Sequence, residues 1–166
     1  MLKVAKFHKV SCDRFLSDME KNFGQANYNT IFNELILPKR ATIGSAGYDF
    51  FSPIDFTLAP GEEIIVPTGI RSEINDGYVL MIFPRSGLGF KYCLTLNNTV
   101  GIIDSDYFYS DNEGHIMIRM TNRSKEKTLE VKKGQGFAQG IFLPFGITID
   151  DDTDGIRNGG FGSTTK

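Results

Sequence analysis

The sequence predicts an all-β domain of the sandwich or jelly-roll type, with a short helical insertion near its start and a mobile arm at its end. Three observations point there. From residue 34 onward apolar side chains recur at every second position, the period of a half-buried strand. These runs are short and are divided by turn formers: Pro60-Gly61, Asn75-Asp76-Gly77, Asp111-Asn112-Glu113-Gly114 and Lys133-Gly134. Residues 11–24, by contrast, carry a helical period.

Each element follows in order. Cys12, Phe15, Leu16, Met19 and Phe23 fall on one helical face; Ser11 can cap the start of that helix and Gly24 can stop it. Residues 25–33 are polar and turn-rich, with a short helical segment around Asn29–Asn33. Alternation then begins with Leu35 and Leu37, and continues with Phe56 and Leu58 and with Ile64 and Val66. Tyr78, Leu80 and Ile82 share one face of a strand whose other face carries Val79, Met81 and Phe83. Both faces are apolar, so this strand is expected to be central and covered on two sides. Ile116, Ile118 and Met120 form the next set; Leu129 with Val131 and Ile141 with Leu143 complete it. The end of the chain changes character: Asp150, Asp151, Asp152 and Asp154 precede a glycine-rich segment between Arg157 and Ser163, and residues 150–166 read as an arm.

A chain of 166 residues without internal repeats reads as one domain, residues 1–166. Its net charge of −2 offers no basic surface for nucleic acid, so an anionic ligand has to be met by local cations such as Arg85, Lys91, Arg157, Arg40 or Arg71. No apolar run is long enough to cross a membrane, and Met1-Leu2-Lys3-Val4-Ala5-Lys6 lacks a signal-peptide apolar stretch, so export is not expected. Two cysteines, Cys12 and Cys93, do not make a disulfide framework; a reducing cytosol is the expected setting.

Several residues could carry chemistry. Asp104 lies between Ile102-Ile103 and Ser105-Asp106-Tyr107, where partial burial would improve a carboxylate as a base; a turn aspartate capping a hairpin is the structural alternative. Arg85-Ser86-Gly87 offers a cation, a hydroxyl and an exposed backbone N–H in sequence, a set suited to phosphate oxygens. Asn98 supplies both a donor and an acceptor, as reading a base edge requires; a plain turn would use it as well. His8 and His115 show no spacing that suggests a zinc site.

Five segments in fixed order add a resemblance. They are Gly44-Ser45-Ala46-Gly47-Tyr48-Asp49, Pro84-Arg85-Ser86-Gly87-Leu88-Gly89, Asn98 to Tyr107, Gly134-Gln135-Gly136-Phe137-Ala138-Gln139, and Arg157 to Thr164. The set resembles the trimeric dUTP pyrophosphatases (dUTPases) over roughly residues 35–166. The resemblance implies a jelly-roll or distorted β-barrel subunit that hydrolyses dUTP to dUMP and pyrophosphate by attack of water on the α-phosphorus. That reaction limits uracil incorporation into DNA and supplies dUMP for thymidylate synthesis. It also implies roles. Asp104 deprotonates the water, and Tyr107 packs on the deoxyribose and excludes a 2′-hydroxyl. Asn98 and the backbone of Gly101, Ile102 and Ile103 read uracil, with Met117 lining the pocket. Arg85, Ser86, Gly87 and Gln139 grip phosphate. Arg157, Ser163 and Thr164 clamp the terminal phosphates while Phe161 stacks on the base, and Asp49 supports the site. Magnesium (Mg2+) is held by the triphosphate and waters, with no protein ligands. The assembly is a homotrimer with sites at subunit boundaries, in the cytoplasm or, if phage-encoded, the host's cytoplasm.

Three departures from the pattern stand out: a longer segment after Tyr107, one residue fewer between Arg157 and Phe161, and the 11–33 insertion, which suggests a packing or partner-binding role. Two rival readings follow. A dCTP deaminase-like relative shares the core, and a nucleotide-responsive regulatory protein would signal through the 11–33 helix.

Overall fold

The computed structural model describes residues 2–155 together with Arg157 and Gly159. Among these, twelve strands and three α-helices alternate along the chain. Strand β1 (Ala5–Lys9) leads into helix α1 (Cys12–Phe23) and the short α2 (Asn29–Asn33). Then come β2 (Lys39–Arg40), β3 (Tyr48–Phe51), β4 (Phe56–Leu58), β5 (Glu63–Pro67), β6 (Ile70–Ile74) and β7 (Tyr78–Pro84). Helix α3 (Ser86–Tyr92), β8 (Leu94–Leu96), β9 (Gly101–Ile103), a 3-10 turn (Ser105–Tyr109), β10 (Met117–Asn122), β11 (Leu129–Val131) and β12 (Gly136–Pro144) complete the order.

The strands form four antiparallel sheets. The largest runs β2-β3-β12-β7-β9; a second runs β5-β10-β8, and β1-β6 and β11-β4 are pairs. Inward-facing residues of all four meet in one core, with Val66, Leu80, Met120, Leu129, Phe137 and Ala138 fully buried. Alternation in β4, β6, β8 and β11 places every second side chain inside and the residues between them outside, whereas in β12 the register shift between Gly136 and Ala138 leaves the adjacent Phe137 and Ala138 both inside.

The expected central position of β7 holds, since it lies between β12 and β9. Its two faces differ, however. Leu80 and Ile82 are sealed in the core. Val79, Met81 and Phe83, with their cross-strand partners Leu143, Ile141 and Gln139, are at best half-buried. Among the described residues nothing covers that second face as the first is covered.

Helix α1 forms where the apolar spacing put it. The Ser11 hydroxyl accepts from the Arg14 N–H at 3.1 Å, and Gly24, at φ +82°, donates its N–H to the Glu20 carbonyl. The buried face of the helix builds a second, smaller core from Val10, Phe15, Met19 and Tyr28, against which Leu16, Ile31, Phe32, Leu35 and Ile54 pack. Val10, Phe15 and Met19, which are buried there, each stabilise the fold by about 1.5–3 kcal/mol. The insertion therefore packs on the domain. The Leu35–Leu37 alternation does not become a strand. Leu35 turns into this small core above Gly69, while Ile36 and Leu37 stay exposed.

Candidate active site

Three groups of side chains account for the candidate residues that the structure describes, and different elements hold each group. The first gathers around the end of β7. Pro84 closes that strand and Arg85 is the N-cap of α3, whose first residues Ser86 and Gly87 are exposed in the turn where backbone N–H groups lack helical partners. The Arg85 guanidinium is held from two sides: Nε lies 3.1 Å from Asp49 Oδ1, and Nη1 donates to the Gly136 carbonyl at 3.2 Å. Asp49 on β3 sits directly opposite Gln139 on β12. Gln139 donates from Nε2 to the Pro84 carbonyl at 3.2 Å. Gly47 makes this approach possible, because a Cβ there would stand 2.7 Å from Gln139 Oε1. Together with Phe83, Phe90 and Ile141, the arginine, Ser86 and the glutamine line an open cavity of about 600 Å3.

The second group lines a cavity of about 490 Å3 on the opposite face of β7, among Ile82, Asn98, Gly101, Ile102, Ile103 and Met117. Segment 98–107 is not a simple hairpin. β8 pairs with β10 and β9 pairs with β7, so the turn at 97–100 carries the chain from one sheet to another. Asn97 is tied down by Glu63, Thr121 and the Arg119 carbonyl. Asn98 next to it is exposed, and its amide makes no hydrogen bond among the described residues. Thr99 follows at φ +67°, an uncommon conformation for a β-branched residue, which marks the tip of this turn as conformationally strained. Gly101 is buried against Ile82, where a Cβ would approach to 3.1 Å.

The third group lies just beyond β9. Asp104 precedes the 3-10 turn, and its side chain is 47 % exposed. Arg157 bridges two carboxylates: Nη2 donates to Asp104 Oδ2 at 2.5 Å and Nε donates to Asp106 Oδ1 at 2.8 Å. The same guanidinium stands 5.9 Å from the centre of the Tyr107 ring. Tyr107 is buried, which pushes its hydroxyl's pKa up. That hydroxyl donates to the His115 carbonyl at 2.9 Å and accepts from Asn112 Nδ2 at 2.8 Å.

The structure thus unites Asp49, Arg85, Ser86, Gly87 and Gln139; Asn98, Gly101, Ile102, Ile103 and Met117; and Asp104, Tyr107 and Arg157. It does not bring the first and second groups into one cavity, because successive side chains of β7 point to opposite faces: Ile82 lines one cavity and Phe83 the other. Phe161, Ser163 and Thr164 lie outside the described residues. Two further cation candidates have structural work. Arg40 donates to the Ile43 and Ser45 carbonyls, and Arg71 lies under the Phe108 ring and donates to the Phe108 carbonyl. Sequence reasoning passed over Asp106 as a partner of Arg157. It also gave His115 no role beyond excluding a zinc site, whereas the ring is fully buried against Asp18 at 2.6 Å. No local signal could have found that pair.

Comparison with known proteins places this geometry. The dUTPase family model matches residues 33–165. The deoxyuridine 5'-triphosphate nucleotidohydrolase of Lactococcus lactis is 41 % identical over 131 residues, covering 77 % of this chain and 87 % of that protein. The enzyme of the same name from Tolumonas auensis is 43 % identical over 144 residues, covering 82 % and 91 %. Among solved structures, the dUTPase of Streptococcus mutans superposes with a TM-score of 0.63 at 32 % identity, over 86 % of this chain and 97 % of that one. The dUTPase of Staphylococcus bacteriophage 80alpha, solved with dUPNHPP, shares the fold at a TM-score of 0.64 and 20 % identity, over 98 % of this chain and 99 % of that one. A dUTPase from phage phi11 of S. aureus is described as coordinating a structural Mg(II) ion. The family match spans most of the chain and takes in all three residue groups, so this protein belongs to the dUTPase family, the deoxyuridine triphosphate nucleotidohydrolases.

Proposed function

We propose that this dUTPase hydrolyses dUTP with Asp104 as the base, at sites that neighbouring copies of the chain complete together. The observation that carries the reading is the separation of the two cavities by β7. The phosphate-gripping set around Arg85 and the base-reading set around Asn98 are both formed, yet one chain cannot apply them to one nucleotide. A second copy brings its Asn98 to Tyr107 segment to the Arg85 set of the first, and the half-covered face of β7 and β12 provides apolar surface for the contact. The arm carries Arg157 to a neighbouring copy. In the lone chain its guanidinium rests on its own Asp104 and Asp106. A homotrimer satisfies all three requirements.

In the assembled site the free amide of Asn98 and the backbone of β9 pair with the uracil edge. Cytosine would leave buried donors and acceptors unmatched and be rejected strongly. The Tyr107 ring covers the sugar and leaves no room for a 2′-hydroxyl. Arg85, fixed by Asp49, holds the phosphates near the scissile bond together with Ser86, the Gly87 N–H and Gln139. A water then attacks the α-phosphorus, its proton passes to Asp104, and the bond to the β-phosphate breaks to release pyrophosphate. For that step Arg157 must exchange Asp104 for phosphate oxygens. The exchange frees the carboxylate and places a cation on the leaving group. Magnesium would be carried by the triphosphate's own oxygens and by water, as suits a small hard ion that dehydrates reluctantly. Bound there, the ion would neutralise charge on the leaving pyrophosphate. Phe161, Ser163 and Thr164 complete the clamp. The two free thiols, Cys12 and Cys93, suit a cytoplasmic setting.

The test is pyrophosphate release from dUTP, UTP, dCTP and dTTP, with and without magnesium, by the native chain and Asp104→Asn. Native protein should act on dUTP alone among the four. Asp104→Asn should bind dUTP with near-native affinity and turn it over more than about a hundredfold more slowly, the scale of a lost general base. Unchanged turnover in that variant would remove Asp104 from the role.

A further inference from the structure

We infer that the inserted helix α1 is a positioning element for the nucleotide site, acting through the buried Asp18–His115 pair on Tyr107. The inference rests on the sugar-covering role proposed for Tyr107. The segment from Ser105 to His115 carries that tyrosine, and α1 ties the segment's far end at two points. Outside, the Ser11 backbone N–H donates to Glu113 Oε2 at 2.8 Å and the Ser11 hydroxyl donates to Glu113 Oε1 at 2.6 Å. Inside, Asp18 Oδ2 lies 2.6 Å from His115 Nδ1 in a fully buried site.

The tautomer follows from the partners. The Gly69 N–H donates to His115 Nε2 at 2.8 Å, so that nitrogen is bare and Nδ1 carries the proton that Asp18 accepts. Arg14, one helical turn before Asp18, fixes the carboxylate in turn, donating from Nε at 2.9 Å and from Nη2 at 2.6 Å. The imidazole is thus clamped between Gly69, just before β6, and α1. The same residue's carbonyl receives the Tyr107 hydroxyl at 2.9 Å, and its N–H donates to the Asn112 carbonyl at 3.1 Å. Asn112 in turn donates from Nδ2 to the Tyr107 hydroxyl. Gly114 lets the chain close this tightly: at φ +67° it brings its backbone so near that a Cβ would stand 2.7 Å from the Tyr107 carbonyl oxygen. These two hydroxyl bonds therefore lead, directly or through Asn112, to His115, and His115 is held by a residue of the insertion. Arg14, Asp18 and Ser11 are positioning residues; none touches the groups assigned to substrate.

Removing the Asp18 carboxylate leaves a buried N–H without a partner, and the imidazole must turn or change tautomer to recover one. Either movement shifts the carbonyl that holds Tyr107 and loosens the wall against a ribose. The expected signature is a change in sugar discrimination that a general loss of stability would not produce. The experiment measures kcat/KM for dUTP and for UTP in the native chain, Asp18→Ala, Asp18→Asn and Tyr107→Ala. In Asp18→Ala the dUTP-to-UTP ratio should fall roughly tenfold, and in Asp18→Asn, whose amide oxygen still accepts from Nδ1–H, it should stay within about twofold of native. Tyr107→Ala should lower the ratio at least as far. A lower melting temperature for Asp18→Ala with the ratio unchanged, while Tyr107→Ala loses discrimination, overturns the positioning role alone. An unchanged ratio in Tyr107→Ala overturns the sugar-covering role and the inference with it. Should Asp18→Ala be insoluble, Ser11→Ala carries the same comparison: it removes one of the outer bonds and should lower the ratio by a few fold, and no fall there refutes the inference.

Discussion

Replacing Asp49 with asparagine isolates one electrostatic contribution to the phosphate grip. The Asp49 carboxylate sits 3.1 Å from Arg85 Nε, its side chain 18 % exposed and that of the arginine 42 % exposed. At such a separation a fully screened pair is worth about 1 kcal/mol and a pair in a partly shielded protein site about 4 kcal/mol. The exposure of Arg85 pulls the value towards the screened end of that range. Asparagine keeps an acceptor in place, so only part of this is lost, about 1–2 kcal/mol. If Arg85 is aimed by Asp49, kcat/KM for dUTP should drop roughly 5- to 30-fold. The second tie, from Arg85 Nη1 to the Gly136 carbonyl, keeps the arginine near its place, which argues against a larger loss. Steady-state kinetics with thermal melts of Asp49→Asn, Arg85→Ala and the double variant decide the matter. The substitution should have no further effect once Arg85 is gone. An equal loss from Asp49→Asn in the Arg85→Ala background would show that the carboxylate acts elsewhere and refute the argument.

Other consequences can be checked alongside. Gly47→Ala forces the Gln139 amide away from its bond to Pro84, since the new Cβ would lie 2.7 Å from Oε1; kcat should fall several fold while the melting temperature moves little, because the displaced atom is the end of a flexible side chain. Phe15→Ala empties the centre of the small core and should cost about 3–5 kcal/mol in denaturant unfolding, as a fully buried phenylalanine does. Burial pushes the carboxyls of Asp18 and Glu113 up, but hydrogen bonds from His115 and Arg14 to the first and from Ser11 to the second outweigh it, holding both below their ordinary values of 3.8 and 4.5. Their stabilising contribution is therefore complete above about pH 4.5 and is lost as pH falls through the lowered values; in acid titrations Asp18→Asn should flatten this loss relative to the native chain. Truncation after Ile156 should abolish dUTP hydrolysis and leave the cooperative unfolding of the core unchanged.

The helix at 12–23 was legible because capping, stop and apolar spacing agreed with one another. The strand at 78–84 was legible because its alternation is uninterrupted, although the sequence could not tell a face sealed by the chain itself from one left for a neighbour. Helix α3 was not legible. Gly87 and Gly89 make a poor helix former of a seven-residue stretch, and Arg85's carbonyl, which accepts from both Leu88 and Gly89, holds it instead. The turn at 97–100 carries the short-range marks of a hairpin, and only pairing with the distant strands 78–84 and 117–122 separates its two arms. For the site, the grouping of Asp49 with Arg85 was within reach of the motifs. Asp18 and His115, 97 positions apart, were not, because their meeting depends on how the insertion folds back.

That Ile82 and Phe83, adjacent in sequence, look into different cavities has a consequence for mixed populations. A chain crippled at Arg85 still donates a sound Asp104, and a chain crippled at Asp104 still donates a sound Arg85. Each is inactive by itself, yet co-refolded hybrids would regain pockets in which both halves are intact. Two dead alleles would then complement one another, and the recovered fraction would count how many copies build each pocket.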